Sequence, residues 1–413
     1  MRLRLSHPAL LLLALALCGC GTIAVSANPD VPGNHVSVYT SVPLEGLEAP
    51  VARQIVRGEQ LALDAAGGRA GPMKVSLVVL NDANPQSGQW DPGLAASNAR
   101  LAAQDNDAIA YIGDLASGAS AVALPLTNGA SIPQIAPGSP YIGLTSSEDA
   151  GQYDPQRFYP SGKMTFLRLF PADPVEARAD VAFLRTRGIH SLYVLSNEDS
   201  FNISLAELLR EDAAAAGIAV AASERVHIGA GGEPAEFASL AEKVADSGAQ
   251  AVFFSGPDEG GTVALFRALY ARDPRLLLLG SHQLANDRFA ARIGPAGASS
   301  YFGSPWLTPA AYPPAARALL VRYTEAFHEE GKVYALYGYE AMQLVLDALV
   351  KAGAHDNQRS AVTKSLYALS TRHSLLGRYA IEPDGETTLS RYEIEAVAHG
   401  ETVPLMLLSA PGG

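Results

Sequence analysis

The sequence predicts an α/β protein made of two halves, and three observations carry that expectation. Short apolar runs of strand type, such as VSLVVL (75–80), AIAYI (108–112), SLYVL (191–195) and AVFF (251–254), alternate with segments of helical apolar spacing. Glycine closes one helical segment after another, at Gly67, Gly188, Gly217 and Gly248. The 413 residues exceed what one hydrophobic core usually serves.

Taken in order, 36–39 reads as a strand, 51–66 as a helix, 75–80 as a strand, 94–104 as a helix and 108–112 as a buried strand. A helix over 119–128 and a short strand at 134–136 follow. Such alternation implies parallel strands joined by crossover helices. A polar, Pro- and Tyr-containing loop runs over 138–163, and 165–170 is strand-like again. Asp173, Pro174 and Glu176 then have the spacing of an N-cap, a first-turn proline and a capping-box acid, so a helix is expected to begin there and end at Gly188.

The second half repeats the pattern. Strands are expected at 191–195, 220–226, 251–254 and 276–279, with helices at 201–216, 234–247, 262–271 and 287–293. After Tyr301 come two long amphipathic helices, 315–330 and 335–351, a third over 359–370, and a strand-like tail over 376–397. The halves meet near Phe170.

Composition narrows the function classes. The net charge is -12, with 42 acidic against 30 basic side chains and no basic stripe, which argues against a nucleic-acid partner. The N-terminus reads as an export signal: Arg2 and Arg4 precede an apolar run over 9–17 that is short for a membrane span. Leu17-Cys18-Gly19-Cys20 resembles a bacterial lipoprotein signal, with Gly19 as the small residue before a lipidated Cys20. Cys18 and Cys20 are the only cysteines, so a mature chain starting at Cys20 would have no thiol pair for a disulfide or a metal. Residues 1–20 are therefore expected to be the signal and 21–34 a tether, which leaves the membrane reached only through the lipid.

The stretch AYIGDLASGAS (110–120) is the most informative single segment. A buried strand breaks at Gly113-Asp114, and a helical pattern starts just after Ser117-Gly118. The backbone N–H groups of a helix start have no partner within the helix and suit a small anion or carboxylate, which points to capture rather than turnover. No Gly-x-Ser-x-Gly elbow, His-Glu-x-x-His, Walker A loop or dinucleotide fingerprint is present, so no enzyme chemistry and no cofactor is implied.

Together with VARQIVRGEQLALDAAGG (51–68), VSLVVLNDA (75–83), IPQIAPGSP (132–140), FLRLFPAD (166–173), AVFFSG (251–256) and YGYEAMQLVLDAL (337–349), that stretch occurs in a familiar order. The chain resembles the periplasmic binding proteins of branched-chain amino-acid ABC transporters, the leucine/isoleucine/valine-binding type, over about 36–399. The resemblance implies the type 1 periplasmic binding protein fold, two Rossmann-like lobes joined by several hinge crossings with the ligand between them. One lobe would take 35–168 and 304–370, the other 169–303 and 371–413, with crossings near Phe170, Ser304 and Thr371. It further implies a small polar ligand, such as a branched-chain or related amino acid or amide, and a transporter permease as partner.

The resemblance also nominates site residues. Ala116, Ser117 and Gly118 fall at the family's ligand-carboxylate position, although Ser117 can equally cap its own helix. Gly138 and Ser139 lie in a loop that supplies contacts to the same ligand head, or form a plain turn before Pro140. Ser41 follows the first strand, where relatives place a cleft-lining residue. Phe201 stands where relatives carry a tyrosine. The acid that pairs with a ligand ammonium is missing: Gly280-Ser281-His282-Gln283 occupies its place. Asp258 or Glu259, after Ser255-Gly256, would have to substitute, and His282 would serve as a hydrogen-bond donor, having no nearby His or Cys for a metal site. Two other readings stay open: a ligand-sensing receptor of the same fold acting on a signalling partner, and a hydrolase using Asp258, Glu259 and His282.

Overall fold

A computed structural model describes residues 30–146, 155–229, 234–369 and 371–409. The expected signal with Cys20 and most of the expected tether lie outside the described residues. The first sheet is built from β1 (His35–Val42), β2 (Arg69–Ala70), β3 (Met73–Asn81), β4 (Ala108–Ile112), β5 (Gln134–Ala136) and β6 (Phe166–Arg168). Its order is β2-β3-β1-β4-β5-β6, parallel apart from the short β2. The intervening helices are α1 (Ala49–Ala65), α2 (Pro92–Gln104) and α3 (Ser117–Gly129).

The strand pleat sorts β1 side chains onto two cores. Val36 and Val38 join the core under α1, while Tyr39 faces Ala99 and Ala102 of α2 and Ala123 of α3. Burial on both faces explains why this sheet reads as continuous apolar runs rather than as alternation.

The second lobe contains α4 (Asp173–Thr186), β7 (Ser191–Ser196), α5 (Ser200–Ala215), β8 (Ala219–Arg225), α6 (Pro234–Asp246), β9 (Ala251–Ser255), α7 (Gly260–Arg272), β10 (Leu277–Gly280), α8 (Asp287–Ile293) and β11 (Ser300–Ser304). The chain then returns with α9 (Pro314–Phe327), α10 (Tyr334–Ala352) and α11 (Arg359–Tyr367), which bury Leu319, Leu336, Met342, Leu346 and Leu366 in the core that holds Val36 and Val38. A hairpin, β12 (Arg372–Ser374) and β13 (Gly377–Tyr379), precedes β14 (Arg391–Ala398) and β15 (Glu401–Ser409). The second sheet runs β15-β14-β11-β10-β9-β7-β8, with β14 and β15 antiparallel.

Three expectations need correction. The tail does not all go to the second lobe: Leu376, Tyr379 and Ile381 bury in the first core, so the third crossing falls at 380–390 rather than near Thr371. Part of the tether is docked rather than free, because Val31 is buried in the first core and exchanges hydrogen bonds with Asn357. Asp173 is the first residue of α4 rather than its cap, and Glu176 does not turn back to the N-cap. It accepts instead from the His282 backbone N–H at 2.8 Å and its ring Nδ1 at 2.6 Å, since a contact that joins two elements displaces the local capping box.

Aromatic rings pack the first two crossings. Phe170 stands edge-on to Trp306 at 4.8 Å and to His282 at 5.7 Å, and Trp306 meets Tyr334 and Tyr337, each at 4.7 Å.

Candidate functional site

In an open α/β sheet, ligands meet the carboxyl ends of the strands. At that end of the first sheet the chain places Ser41 (end of β1), Asp82 (after β3), Asp114 (after β4) and Gly138-Ser139 (after β5). The turn after β4 delivers the start of α3, whose N-cap is Ala116 in extended conformation, with Ser117 and Gly118 as the first helical residues. Their N–H groups have no carbonyl partner within the helix.

Ser117 does not cap its own helix. Its Oγ accepts the Tyr141 N–H at 3.2 Å, tying α3 to the loop after β5. Gly118 lies beneath two rings. A Cβ there would stand 2.4 Å from Trp90 Cζ2 and 3.3 Å from Phe201 Cε2, so only glycine permits so close an approach of the indole. Phe201, in the first turn of α5 in the second lobe, also meets the Tyr141 ring edge-on at 4.9 Å. The two lobes therefore touch across the start of α3 through Trp90, Tyr141 and Phe201.

Other expected residues are committed elsewhere. Ser139 is buried with φ +62°. Its hydroxyl donates to the Asp114 carbonyl at 2.9 Å and lies 2.8 Å from Ser120 Oγ, so the side chain braces the loop and does not reach the cleft. Gly138 is pressed against the Leu115 carbonyl. Ser41 is buried and accepts from Asn98 Nδ2 at 3.0 Å, which makes it part of the strand-end polar cluster rather than a cleft wall.

That cluster shapes the local field. Asp114 accepts from Tyr111 Oη at 3.2 Å and Gln134 Nε2 at 3.3 Å. Burial, then the neighbouring Asp82 charge, pushes its pKa far above the usual carboxylate range. Asp82 is also pushed up, by burial first and the Glu48 charge second. Both acids thus resist ionisation, and an anion at the start of α3 meets little opposing charge.

Of the two acids expected in the second lobe, Glu259 is the N-cap of α7 without a side-chain cap and forms no ion pair among the described residues, whereas Asp258 is spent. Asp258 is ion-paired with Arg292 at 2.9 Å and with Arg288. His282 is held by the fully buried Glu176. Burial opposes charge on its ring, but the Glu176 carboxylate, followed by Asp173, more than offsets this and its pKa rises above the usual imidazole value. Gly256 is packed against the Phe254 ring. The strand ends carry amides instead: Asn202 Nδ2 donates to Asn197 Oδ1 at 3.0 Å, and Gln283 donates to Asn202 Oδ1. A cation in the cleft would find no unpaired partner in Asp258 or Glu176.

Trp90 and Tyr141 escape a sequence reading. Trp90 carried a signal, being one of only two tryptophans and standing in the polar, Pro- and Gly-containing loop 82–91. Tyr141 carried none, because its role follows from which ring it meets across the lobes.

Known proteins place this arrangement. A family model described as periplasmic binding protein matches residues 40–396. An amino acid binding protein of Pseudomonas aeruginosa is 25% identical over 394 residues, covering 93% of this chain and 94% of its own. Among solved structures, a leucine binding protein from Thermotoga maritima matches with TM-score 0.74 at 18% identity, over 91% of this chain and 99% of its own. A solute binding protein of an R. palustris ABC transporter, in complex with 4-hydroxybenzoate, matches with TM-score 0.73 at 14% identity, over 91% and 98%. These structural likenesses bear out the type 1 periplasmic binding protein fold, and the family model, spanning most of the sequence, settles membership: the chain belongs to the periplasmic binding protein family.

Proposed function

We propose that this protein captures a small carboxylate-bearing solute between its lobes and delivers it to the permease of an ABC transporter, held at the membrane surface by lipid on Cys20. The observation that carries the reading is the start of α3, where Ser117 opens the helix and Gly118 lies beneath Trp90 of its own lobe and Phe201 of the other. Partner-free N–H groups favour a carboxylate. The adjacent rings favour an apolar or aromatic body. With Asp258 and Glu176 already paired, an α-amino group would have to draw on Glu259 alone, whereas an uncharged substituent needs no acid. Relatives bear on both choices, since one solved structure is a complex with Leu and another a complex with 4-hydroxybenzoate.

Binding requires the rings to part and reclose on the ligand, a population shift of the hinged lobes. The test is a thermal-shift and tryptophan-fluorescence titration of the chain from Cys20 onward with leucine, isoleucine, benzoate and 4-hydroxybenzoate. At least one is expected to raise the melting temperature by mass action. Ser117→Ala should weaken that binding by roughly fivefold, the worth of one hydrogen bond, with little loss of stability. No shift with any of the four, or a shift indifferent to Ser117→Ala, would sink the proposal.

A further inference from the structure

We infer that Arg168, locked by Glu386 of the C-terminal turn, is a positioning residue for the binding loop 138–145, so that the tail of the chain sets one wall of the site. The inference rests on the proposed location of that site at the start of α3.

Arg168 closes β6 in the run FLRLF, a charged side chain amid apolar neighbours, and it is wholly buried. Its guanidinium reaches three points of one loop. Nη1 donates to the Ser139 carbonyl at 2.6 Å and to the Tyr141 carbonyl at 3.0 Å. Nη2 donates to the Tyr141 carbonyl at 3.0 Å and to Thr145 Oγ1 at 3.0 Å. These groups converge because Ser139 adopts a left-handed backbone, which an L-residue holds only where its surroundings over-determine it. A planar fork with several fixed donors can satisfy such a cluster, whereas a lysine ammonium presents one point charge.

The charge has a single partner among the described residues, Glu386, 3.1 Å away and itself largely buried. Glu386 also accepts from the Thr145 hydroxyl. It sits in a tight turn in which the Gly385 N–H donates to the Glu382 carbonyl and the Glu382 N–H to the Glu386 carbonyl. The turn docks on β6 through a 3.0 Å hydrogen bond from the Arg168 N–H to the Gly385 carbonyl. A buried pair of this kind adds little net stability, yet removing one partner leaves an uncompensated charge. Its evident product is a fixed geometry.

That geometry matters because of what the loop holds. Tyr141 receives the guanidinium on its carbonyl, gives its N–H to Ser117 Oγ, and presents its ring to Phe201 of the other lobe. Arg168 therefore acts through Tyr141 on both walls of the candidate site without touching the cleft. The turn 382–386 lies just ahead of β14, in the stretch where the chain crosses back to the second lobe, which places the clamp beside a hinge strand.

The experiment compares the chain from Cys20 onward with its Glu386→Gln variant, which is near-isosteric, with Arg168→Lys, which keeps the charge and loses the fork, and with Thr145→Val as a milder break of the same cluster. Hydrogen–deuterium exchange without ligand reads the loop directly. Exchange over 138–145 is expected to quicken by about tenfold in the first two variants, with β9 and β10 unchanged. Affinity for whichever of leucine or benzoate binds the parent chain is expected to fall by about tenfold, with a much smaller change in melting temperature. Unchanged exchange over 138–145, or quickening spread evenly over the chain, overturns the inference. Faster loop exchange with unchanged affinity overturns it too, because the loop would then not position the site. If the parent chain binds neither probe, the exchange result still decides the clamp, and the proposed function stands or falls separately on its own four-ligand titration.

Discussion

Gly118 and Trp90 form a tight contact in the candidate site, and they make the site testable one residue at a time. A methyl group at 118 would stand 2.4 Å from the indole, so Gly118→Ala must displace Trp90. The ring can swing outward because Trp90 is only half-buried. We therefore expect a small stability change, a red-shifted tryptophan emission and weaker binding of any carboxylate that stacks on the indole. An unshifted emission spectrum would mean that the indole does not rest on α3 in solution. At this scale the sequence spoke unevenly. Ser117-Gly118 was legible because a strand, a break and a helix start are all local signals. What Asp258 and His282 are paired with was not legible, because Arg288, Arg292 and Glu176 lie far along the chain and meet them only in the fold.

Among the elements, α3 matters most, since its start faces the cleft and Asp114 and Asp82 stand behind it. The raised pKa of each acid means that both are largely protonated at mildly acidic pH and gain charge as pH climbs. Tyr111, Ser41, Ser120, Gln134 and Glu48 also act on this pair. New negative charge beside α3 repels a carboxylate, so affinity for benzoate should fall as pH rises through about 7, where Asp82 ionises. Asp82→Asn should flatten that fall, and an equally steep profile in the variant would remove the pair as its cause. The helices and strands themselves were largely readable, because α/β alternation leaves 3.6- and 2-residue periods and glycine stops in the sequence. The capping box at Asp173 was not, because Glu176 finds a buried partner in the other half of its lobe. The hairpin β12–β13 looked like second-lobe strand, yet Leu376 and Tyr379 are apolar enough to enter whichever core lies nearest, and that is the first.

For the whole molecule, buried acids set the response of stability to pH. Asp173, through burial first and Glu176 second, and Glu395, through burial, are both pushed up to about 7. A carboxyl whose pKa is higher in the fold than in the unfolded chain holds its proton more tightly when folded. Its contribution is complete below the unfolded value near pH 4 and is lost as pH rises through about 7. Surface acids with lowered pKa, Glu224 and Glu329 among them, act in the opposite direction. Being open to solvent in part or in full, they are worth less. The melting temperature should therefore be higher near pH 5 than near pH 8, and the reverse order would show that the buried acids are ionised at little cost.

The sequence by itself determined the class of fold, the alternation of its elements and the helix start suited to an anion, because each is a matter of period, cap and break within a few residues. Tertiary structure alone decided which charges are spent on one another, that Trp90 and Phe201 cover Gly118 while Tyr141 meets Phe201, and that Glu386 reaches Arg168 from more than two hundred positions away. Those outcomes depend on which strand ends the two sheets bring together, and no local run of residues encodes that.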